Sequence, residues 1–349
     1  MSKSLDDDVG AAADAEDPAS NQYTLKDITP DTLPSVRGIV SDVMFDVPYY
    51  LSQEHHPKMI SACVEEANRI YRLWCLNNPG FSEWGRVHII AHSLGSVMAM
   101  DILSNQPSSV DPHFSDPNFP ENELPKDQFI FNTSSLFTCG SPVGFFLLLR
   151  KATLLPRRDK EKPGADSFAT PGVAGERGTF GCLAVDNLYN IVNGYDPVAY
   201  RLNAAVDATY ASMLKPAIIP SATTSWLSFS NPFSKSSSTY HPSPSSSTKP
   251  ATSRLPSNVE LETHDFTREE IAEKRAYLLN DNGQIDYFLR YGGGALEIQY
   301  LTMLGAHSSY WVSRDFVRMI VVEVGRELGK DGTVGVMRAV KRKGGVEGR

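Results

Sequence analysis

"VHIIAHSLGSVMAMDIL" spans residues 87 to 103 and passes from β-branched residues through His92-Ser93-Leu94-Gly95 into an apolar stretch with helical spacing. Val87 to Ala91 reads as a strand, and Leu94, Val97, Met98 and Ile102 read as the apolar stripe of a helix that follows directly. A serine at so tight a strand-to-helix turn is either a nucleophile raised above a sheet or a small residue that the turn tolerates. Its surroundings along the chain bear on the choice.

Upstream, "PKMISACVEEANRIYRLWCLNNPGF" from Pro57 places Ile60, Val64, Ala67, Tyr71 and Trp74 on one helical stripe and stops at Asn-Asn-Pro-Gly. Downstream, "FIFNTSSLFTCGSPVGFFLLLR" offers a buried strand around Leu136 to Cys139 and a Gly-Ser-Pro turn, and "NLYNIVNGYDPVAY" repeats the scheme of strand, then turn with Asp-Pro. "THDFTREEIAEKRAYLLNDNG" is a helix with Thr267 and Glu270 at capping-box spacing and an end at Asn282-Gly283. A strand-like piece, a glycine turn and an apolar segment then lead to His307, and "SRDFVRMIVVEVGREL" closes the domain as a helix with Ser313 as N-cap. Buried strands alternating with helices predict an α/β fold, a mostly parallel sheet with flanking helices.

The 349 residues, 41% of them hydrophobic, are enough for a sizeable core. Residues 1 to 35 are acidic and lack apolar periodicity, which reads as a disordered arm. The domain is expected over 36 to 328, with insertions at 156 to 179 and at 221 to 257, the latter dominated by Ser, Thr and Pro. Trp226, Leu227, Phe229 and Phe233 within it are either stray aromatics of a disordered loop or a mobile lipid-facing segment. Residues 329 to 349 read as a basic, glycine-rich, flexible tail.

A formal net charge of -8 gives no global basic field, and the basic clusters, Arg157 to Lys162 and Lys341 to Lys343, are short, so nucleic-acid binding is not expected. Cys63, Cys75, Cys139 and Cys182 have no CxxC spacing, which favours a reducing compartment. With no signal-peptide pattern and no run of about 18 apolar residues, a soluble cytoplasmic protein is expected, touching membranes at most peripherally. No cofactor motif and no oligomeric state can be read.

The turn itself, A-x-S-x-G with Ala91 at the first small position, is similar to the G-x-S-x-G elbow of α/β-hydrolases, which exposes the serine hydroxyl and aims a backbone N–H, here that of Leu94, at a developing oxyanion. A triad also needs a base and a carboxylate, and in that fold they follow the serine in the order acid, then histidine. His307 lies near the end of the domain in "LGAHSSYW", where the base is expected, although a histidine bonded within a turn would look the same. Asp196, in "NGYDPVAYRL", follows a strand and precedes a proline, which suits either a triad carboxylate or an Asp-Pro turn. Asp186 and Asp207 are alternatives without that context. His88 and His92 flank the turn, and His241 and His264 fall in or beside the linker.

"AHSLGSVMAMDIL", "FTCGSPVGFFLLLR", "NLYNIVNGYDPVAYRL", "QIDYFLR" and "AHSSYWVSRDF", spread over residues 90 to 315, together resemble the DDHD-domain family, most closely its fungal members. That family includes intracellular phospholipases A1 that prefer phosphatidic acid, and related lipid-transfer proteins. The resemblance implies an α/β-hydrolase-like fold and a serine ester hydrolase that cleaves an acyl ester of a glycerophospholipid. It also implies a peripheral position on the endoplasmic reticulum, Golgi or mitochondria, with a noncatalytic lipid-binding or trafficking module as the alternative.

By the same resemblance Ser93 is the nucleophile, His307 the base and Asp196 the third member of the triad. The aspartates and histidine of the family's name fall on Asp196, Asp286, His307 and Asp315. Four such residues also raise a metal-binding reading, which no tight ligand motif supports. Asp315, two residues past the probable N-cap Ser313, suits a helix-dipole role. The family's upstream strands and His-Gly loop have no counterpart in residues 1 to 92, so the first strands of the sheet, and one oxyanion donor with them, are expected to be missing. Losing such a donor typically costs on the order of 10² to 10³ in rate. Arg201 and Arg314, close after Asp196 and His307, either meet a phosphate or are solvated.

Overall fold

The computed structural model describes residues 47–116, 118–160, 162, 172–221, 268–290 and 305–342. The acidic arm, nearly all of the Ser/Thr/Pro-rich linker with its four apolar residues, Thr267, His241, His264, Lys343 and the glycine turn after Arg290 lie outside these residues. The chain divides into two compact units after Pro48, and everything below concerns the second, Tyr49–Arg349.

Its core is a five-stranded sheet with every neighbouring pair parallel. In chain order the elements begin with helix α1 (His55–Asn77), the short α2 (Phe81–Trp84), β1 (Val87–His92), α3 (Leu94–Asn105), β2 (Thr133–Cys139) and α4 (Val143–Leu149). A two-stranded sheet of β3 (Leu155–Pro156) and β4 (Cys182–Leu183) precedes β5 (Val185–Val192), α5 (Asn203–Val206), α6 (Ala208–Met213) and β6 (Ala217–Ile218). Helix α7 (Arg268–Leu279), β7 (Asp286–Phe288) and α8 (Arg314–Gly325) complete the unit. The main sheet runs β1-β2-β5-β7-β6, so β1 is an edge, and among the described residues no strand precedes it.

Alternation along the strands sends Phe137, Cys139, Tyr189, Ile191, Tyr287 and Leu289 to one face, where Phe316 and Met319 of α8 pack with Tyr310 and Met337. Phe137 and Tyr189, in register across β2 and β5, stack with centroids 4.6 Å apart. Residues of the alternate parity are partly polar: Thr138 donates its hydroxyl to Asn190 Oδ1 at 2.9 Å, and Asn280 donates to the Leu188 carbonyl at 2.6 Å. At Thr138, Asn190 and Asn280 such bonds offset the cost of burying a polar group, whereas the Thr133 and Ser134 hydroxyls at the start of β2 are buried without a partner.

Three sequence expectations change. On α1 the buried face is Val64, Asn68, Tyr71 and Cys75, whereas Trp74 is 53% exposed. Asn68 takes the inward place because it accepts from the Ile130 N–H and donates to the Gln128 and Pro125 carbonyls, pinning the loop that enters β2. Within the expected insertion at 156 to 179, Arg157 is buried and its guanidinium donates to the carbonyls of Leu103, Ser104, Gln106 and Cys182. Those of Leu103, Ser104 and Gln106 lie at the end of α3, where Leu103 and Ser104 also accept from the Ala184 and Gly178 N–H groups, so Arg157 adds a positive charge where the helix dipole is negative. Residues 329 to 342 are not a flexible tail: Met337 is fully buried, and the Ala339 N–H bonds the Asn282 carbonyl at 2.7 Å.

Lys162, also in that insertion, is buried against the Asp281 carboxylate at 2.8 Å, and Arg326 reaches the other carboxylate oxygen at 2.9 Å. Arg326 continues to Glu323 at 2.7 Å, and Glu323 accepts from Tyr189 at 2.6 Å. Burial pushes the Lys162 ammonium down to about 8 despite the pull of Asp281. Burial also disfavours charge on Asp281, yet Lys162 and Arg326 hold its carboxyl below the usual range. Removing one member of such a network strands charges out of water.

Asp281→Ala is therefore expected to destabilise the fold by about 3 to 5 kcal/mol, read as a lowered urea midpoint. Lys162→Met should cost less, since Arg326 keeps its carboxylate. A pH dependence should arise at His88 on β1, whose imidazole is pushed down to about 4 by burial and then by Arg86. Its folded pKa lies below the unfolded value near 6.5, so the unfolded chain binds the extra proton between the two, and stability falls as pH drops from about 6.5 to about 4. His88→Leu should flatten this part of the urea-midpoint profile.

Candidate active site

Ser93 stands between β1 and α3 with φ 52° and ψ -131°. A side chain in that region carries strain of about 1 to 3 kcal/mol, which persists only where the surroundings fix it. They do so here: the Ser93 N–H donates to the Cys139 carbonyl at 3.1 Å, and the Ser93 carbonyl accepts from the Ser96 N–H at 3.0 Å and from the Ser96 hydroxyl at 2.5 Å. Ser96 also meets the Ser141 hydroxyl at 2.7 Å, joining the start of α3 to the turn after β2. Leu94 opens α3, so its N–H is among the donors that a helix N-terminus leaves without an intrahelical acceptor. Ala91 is buried, as a small residue at the first position of the motif should be, while a Cβ on Gly95 would meet nothing within 4 Å.

The loop after β5 brings Asp196 to the same edge of the sheet, and the segment before α8 brings His307. Both are buried, and His307 Nδ1 lies 3.0 Å from each Asp196 oxygen. Asp196 Oδ1 also accepts from the Val198 N–H at 2.9 Å, and Oδ2 from the Tyr310 hydroxyl at 2.9 Å. An aspartate that accepts from Nδ1–H leaves His307 Nε2 as the basic nitrogen. Tyr310 in turn accepts from the Asn193 N–H at 3.0 Å, and burial followed by the Asp196 charge raises its phenol well above the usual range, keeping it a donor.

Gly140 joins the serine to this pair. It follows Cys139, whose carbonyl holds the Ser93 N–H, and it has φ +56°. A Cβ there would stand 2.9 Å from Asp196 Oδ2 and 3.0 Å from His307 Nδ1 and Cε1. Asp196 and His307 thus rest directly on the backbone of the turn that holds Ser93. Ser93 Oγ makes no hydrogen bond to His307 in this arrangement, and such contacts commonly close only with substrate in place.

Sequence reasoning missed Gly140, Tyr310 and the part taken by His92. The His92 ring packs on that of His307 with centroids 4.4 Å apart, and its Nε2 donates to the His307 carbonyl at 2.6 Å, since a carbonyl can only accept. Burial lowers its pKa. The positive φ required after Cys139 was the available signal for Gly140 in "TCGSP"; Tyr310 had none beyond its nearness to His307. Cys139 is no rival nucleophile, because burial and the Asp196 charge push its thiol up to about 12.

The other aspartates do not join the pair. Asp286, on β7, accepts from Asn190 Nδ2 at 2.8 Å and from the Leu202 and Asn203 N–H groups at 2.8 and 2.9 Å, which fastens the end of the Asp196 loop to the sheet. Burial raises its pKa although those bonds oppose the shift. Asp315 sits in the first turn of α8 behind the N-cap Ser313, whose hydroxyl accepts from the Phe316 N–H at 3.3 Å. Asp186 pairs with Lys160, and Asp207 caps α6. Among the described residues no group of three His, Cys, Asp or Glu side chains is placed to hold a metal ion.

The DDHD-domain family model matches residues 129–262 and 228–325. The chain is 25% identical over 340 residues to a probable mitochondrial phospholipase of Schizosaccharomyces pombe, an alignment covering 86% of this chain and 40% of that protein. A probable mitochondrial phospholipase of Saccharomyces cerevisiae is 22% identical, with 86% and 37% covered. Phospholipase DDHD1 of Mus musculus is 26% identical, with 60% and 41% covered. The chain thus spans about two-fifths of the length of these relatives. No solved structure matches.

If the Asp196–His307 pair rests on a bare backbone, Gly140→Ala should separate it from the serine turn while leaving the sheet folded. The expected result is near-native far-UV circular dichroism with at least about a hundredfold slower labelling of Ser93 by a fluorophosphonate, the scale on which small misplacements act. Labelling at the parent rate would show that the glycine is not required.

Proposed function

This chain belongs to the DDHD-domain family, and from that premise we propose that it is a serine ester hydrolase of the phospholipase A1 type, acting on an acyl ester of a glycerophospholipid. Ser93 Oγ attacks the ester carbonyl while His307 Nε2 takes its proton, and Asp196 holds the imidazole in the required tautomer and stabilises the imidazolium. The Leu94 N–H donates to the oxyanion. On collapse, His307 returns the proton to the leaving glycerol oxygen, giving a lysophospholipid and an acyl-Ser93 ester. Water, deprotonated by the same nitrogen, then releases the fatty acid.

The observation that carries this reading is the buried His307–Asp196 contact at 3.0 Å, seated on the turn that strains Ser93. A lipid substrate is further supported by the apolar groups left outside: Tyr195 beside Asp196 is 39% exposed, and Trp311, edge-on to His92, is 53% exposed. Aromatic residues of this kind favour a membrane–water boundary. No described helix is long and apolar enough to cross a membrane, so we place the protein peripherally on its substrate surface. The names of the two fungal relatives point to mitochondrial membranes.

Fluorophosphonate should label the parent chain and not Ser93→Ala. On phospholipid vesicles Asp196→Asn should lower kcat by about 10⁴, the loss expected when the histidine is held in the wrong tautomer. Equal labelling of Ser93→Ala would overturn the mechanism. Vesicle binding with no release of fatty acid would favour the noncatalytic lipid-binding reading.

A further inference from the structure

His307 and Tyr310 stand three positions apart in the segment that enters α8, with Tyr310 in the 3-10 helix Ser309–Val312. That single turn of chain grips Asp196 twice. His307 Nδ1 lies 3.0 Å from Oδ2, and the Tyr310 hydroxyl donates to the same oxygen at 2.9 Å. The phenol is completely buried, and its proton has a fixed direction: the Asn193 N–H fills one lone pair of the oxygen at 3.0 Å, while an ionised carboxylate can only accept. Burial, then the Asp196 charge, keep the hydroxyl protonated.

Four titratable groups face the His307 ring. Asp196 comes from the loop after β5 and Tyr310 from the histidine's own segment. His92, at the end of β1, packs on the ring at 4.4 Å, and burial lowers its pKa. Cys139, at the end of β2, precedes the Gly140 backbone on which the pair rests, and its thiol is pushed up to about 12. The carboxylate in this set is Asp196, so its charge governs how strongly an imidazolium is held. An O–H that bonds a carboxylate stabilises the ionised form and draws on the same negative charge that a neighbouring cation would feel. A carboxylate shared between phenol and imidazole therefore attracts the imidazolium less than one bonded to imidazole alone. A general base works best when its protonation is balanced near the working pH, which such sharing favours.

We infer that Tyr310 is a positioning residue of the hydrolase: acting through Asp196, its hydroxyl fixes the carboxylate against Nδ1 and limits how firmly His307 keeps a proton. The inference rests on the reading of Ser93 as nucleophile, His307 as base and Asp196 as the orienting carboxylate.

The full chain is labelled with a fluorophosphonate between about pH 5 and about pH 9, and the acid limb of the rate reports loss of the His307 proton. Tyr310→Phe keeps the ring and removes the hydroxyl, so the limb should move up by about half to one pH unit, the size of one hydrogen bond. Tyr310 replaced by 3-fluorotyrosine, a stronger donor of nearly the same shape, should move the limb down. Asn193→Ala removes bonds to the Ser309 hydroxyl and the Tyr195 N–H, loosening the same segment with the phenol in place, and should leave the limb where the parent has it. A limb unmoved in the Tyr310 variants, even with a slower rate, would assign Tyr310 a packing role and overturn the inference. Should Tyr310→Phe fail to fold, the fluorotyrosine protein decides the matter alone. Labelling of Ser93→Ala at the parent rate would overturn the mechanism itself, a failure distinct from that of Tyr310.

Discussion

The carboxylate of Asp196 is the constraint around which the site is organised. It is buried and accepts from an imidazole, a phenol and a backbone amide, and each donor belongs to a segment that must therefore lie in one place. His307 and Tyr310 fix the approach to α8, Val198 fixes the aspartate's own loop, and Tyr310 reaches back to Asn193 where β5 ends. Burying a charged group without such partners would cost several kcal/mol, so the arrangement forms as a unit or not at all. The same donors fix the orientation of the carboxylate relative to the imidazole.

Asp286 applies the same physics one strand away to a different end. Its three donors tie Leu202 and Asn203 to β7 and to Asn190 of β5, so the far end of the loop that carries Asp196 is held by a carboxylate, while its near end, Asn193, is held by the Tyr310 hydroxyl. One aspartate orients a proton acceptor and the other fastens a loop, and the difference lies wholly in what their donors can do. Imidazole can change charge, whereas an amide and two backbone N–H groups cannot.

The parts of this design legible in the sequence are those with a local signature. Strand β1, the turn at Ser93 and the helix after it are written in one stretch of 17 residues, and Asp196 and His307 follow in the order seen in α/β-hydrolases. Gly140, His92 and Tyr310 act across the sheet, between residues far apart in the chain, where periodicity carries no information. Composition misled at Arg157, Lys162 and residues 329 to 342 for a related reason. It measures how polar a stretch is, whereas burial depends on whether each polar group finds acceptors, and those of Arg157 are carbonyls at the end of α3. Asn68 displaced Trp74 from the inner face of α1 on the same ground: three backbone partners outweighed apolar area.

The positions of the two charged systems also constrain each other. The Lys162–Asp281–Arg326–Glu323 network is closed, every charge facing its opposite, and it lies under α7 and α8 away from the serine turn. Outside that network, Arg201 stands on the loop that runs from Asp196 to Asn203, five positions beyond Asp196, and acts on the Asp286 carboxyl. That loop is held at Asn193 by the Tyr310 hydroxyl and at Leu202 and Asn203 by Asp286 of β7, so its two ends are fixed by different elements of the fold.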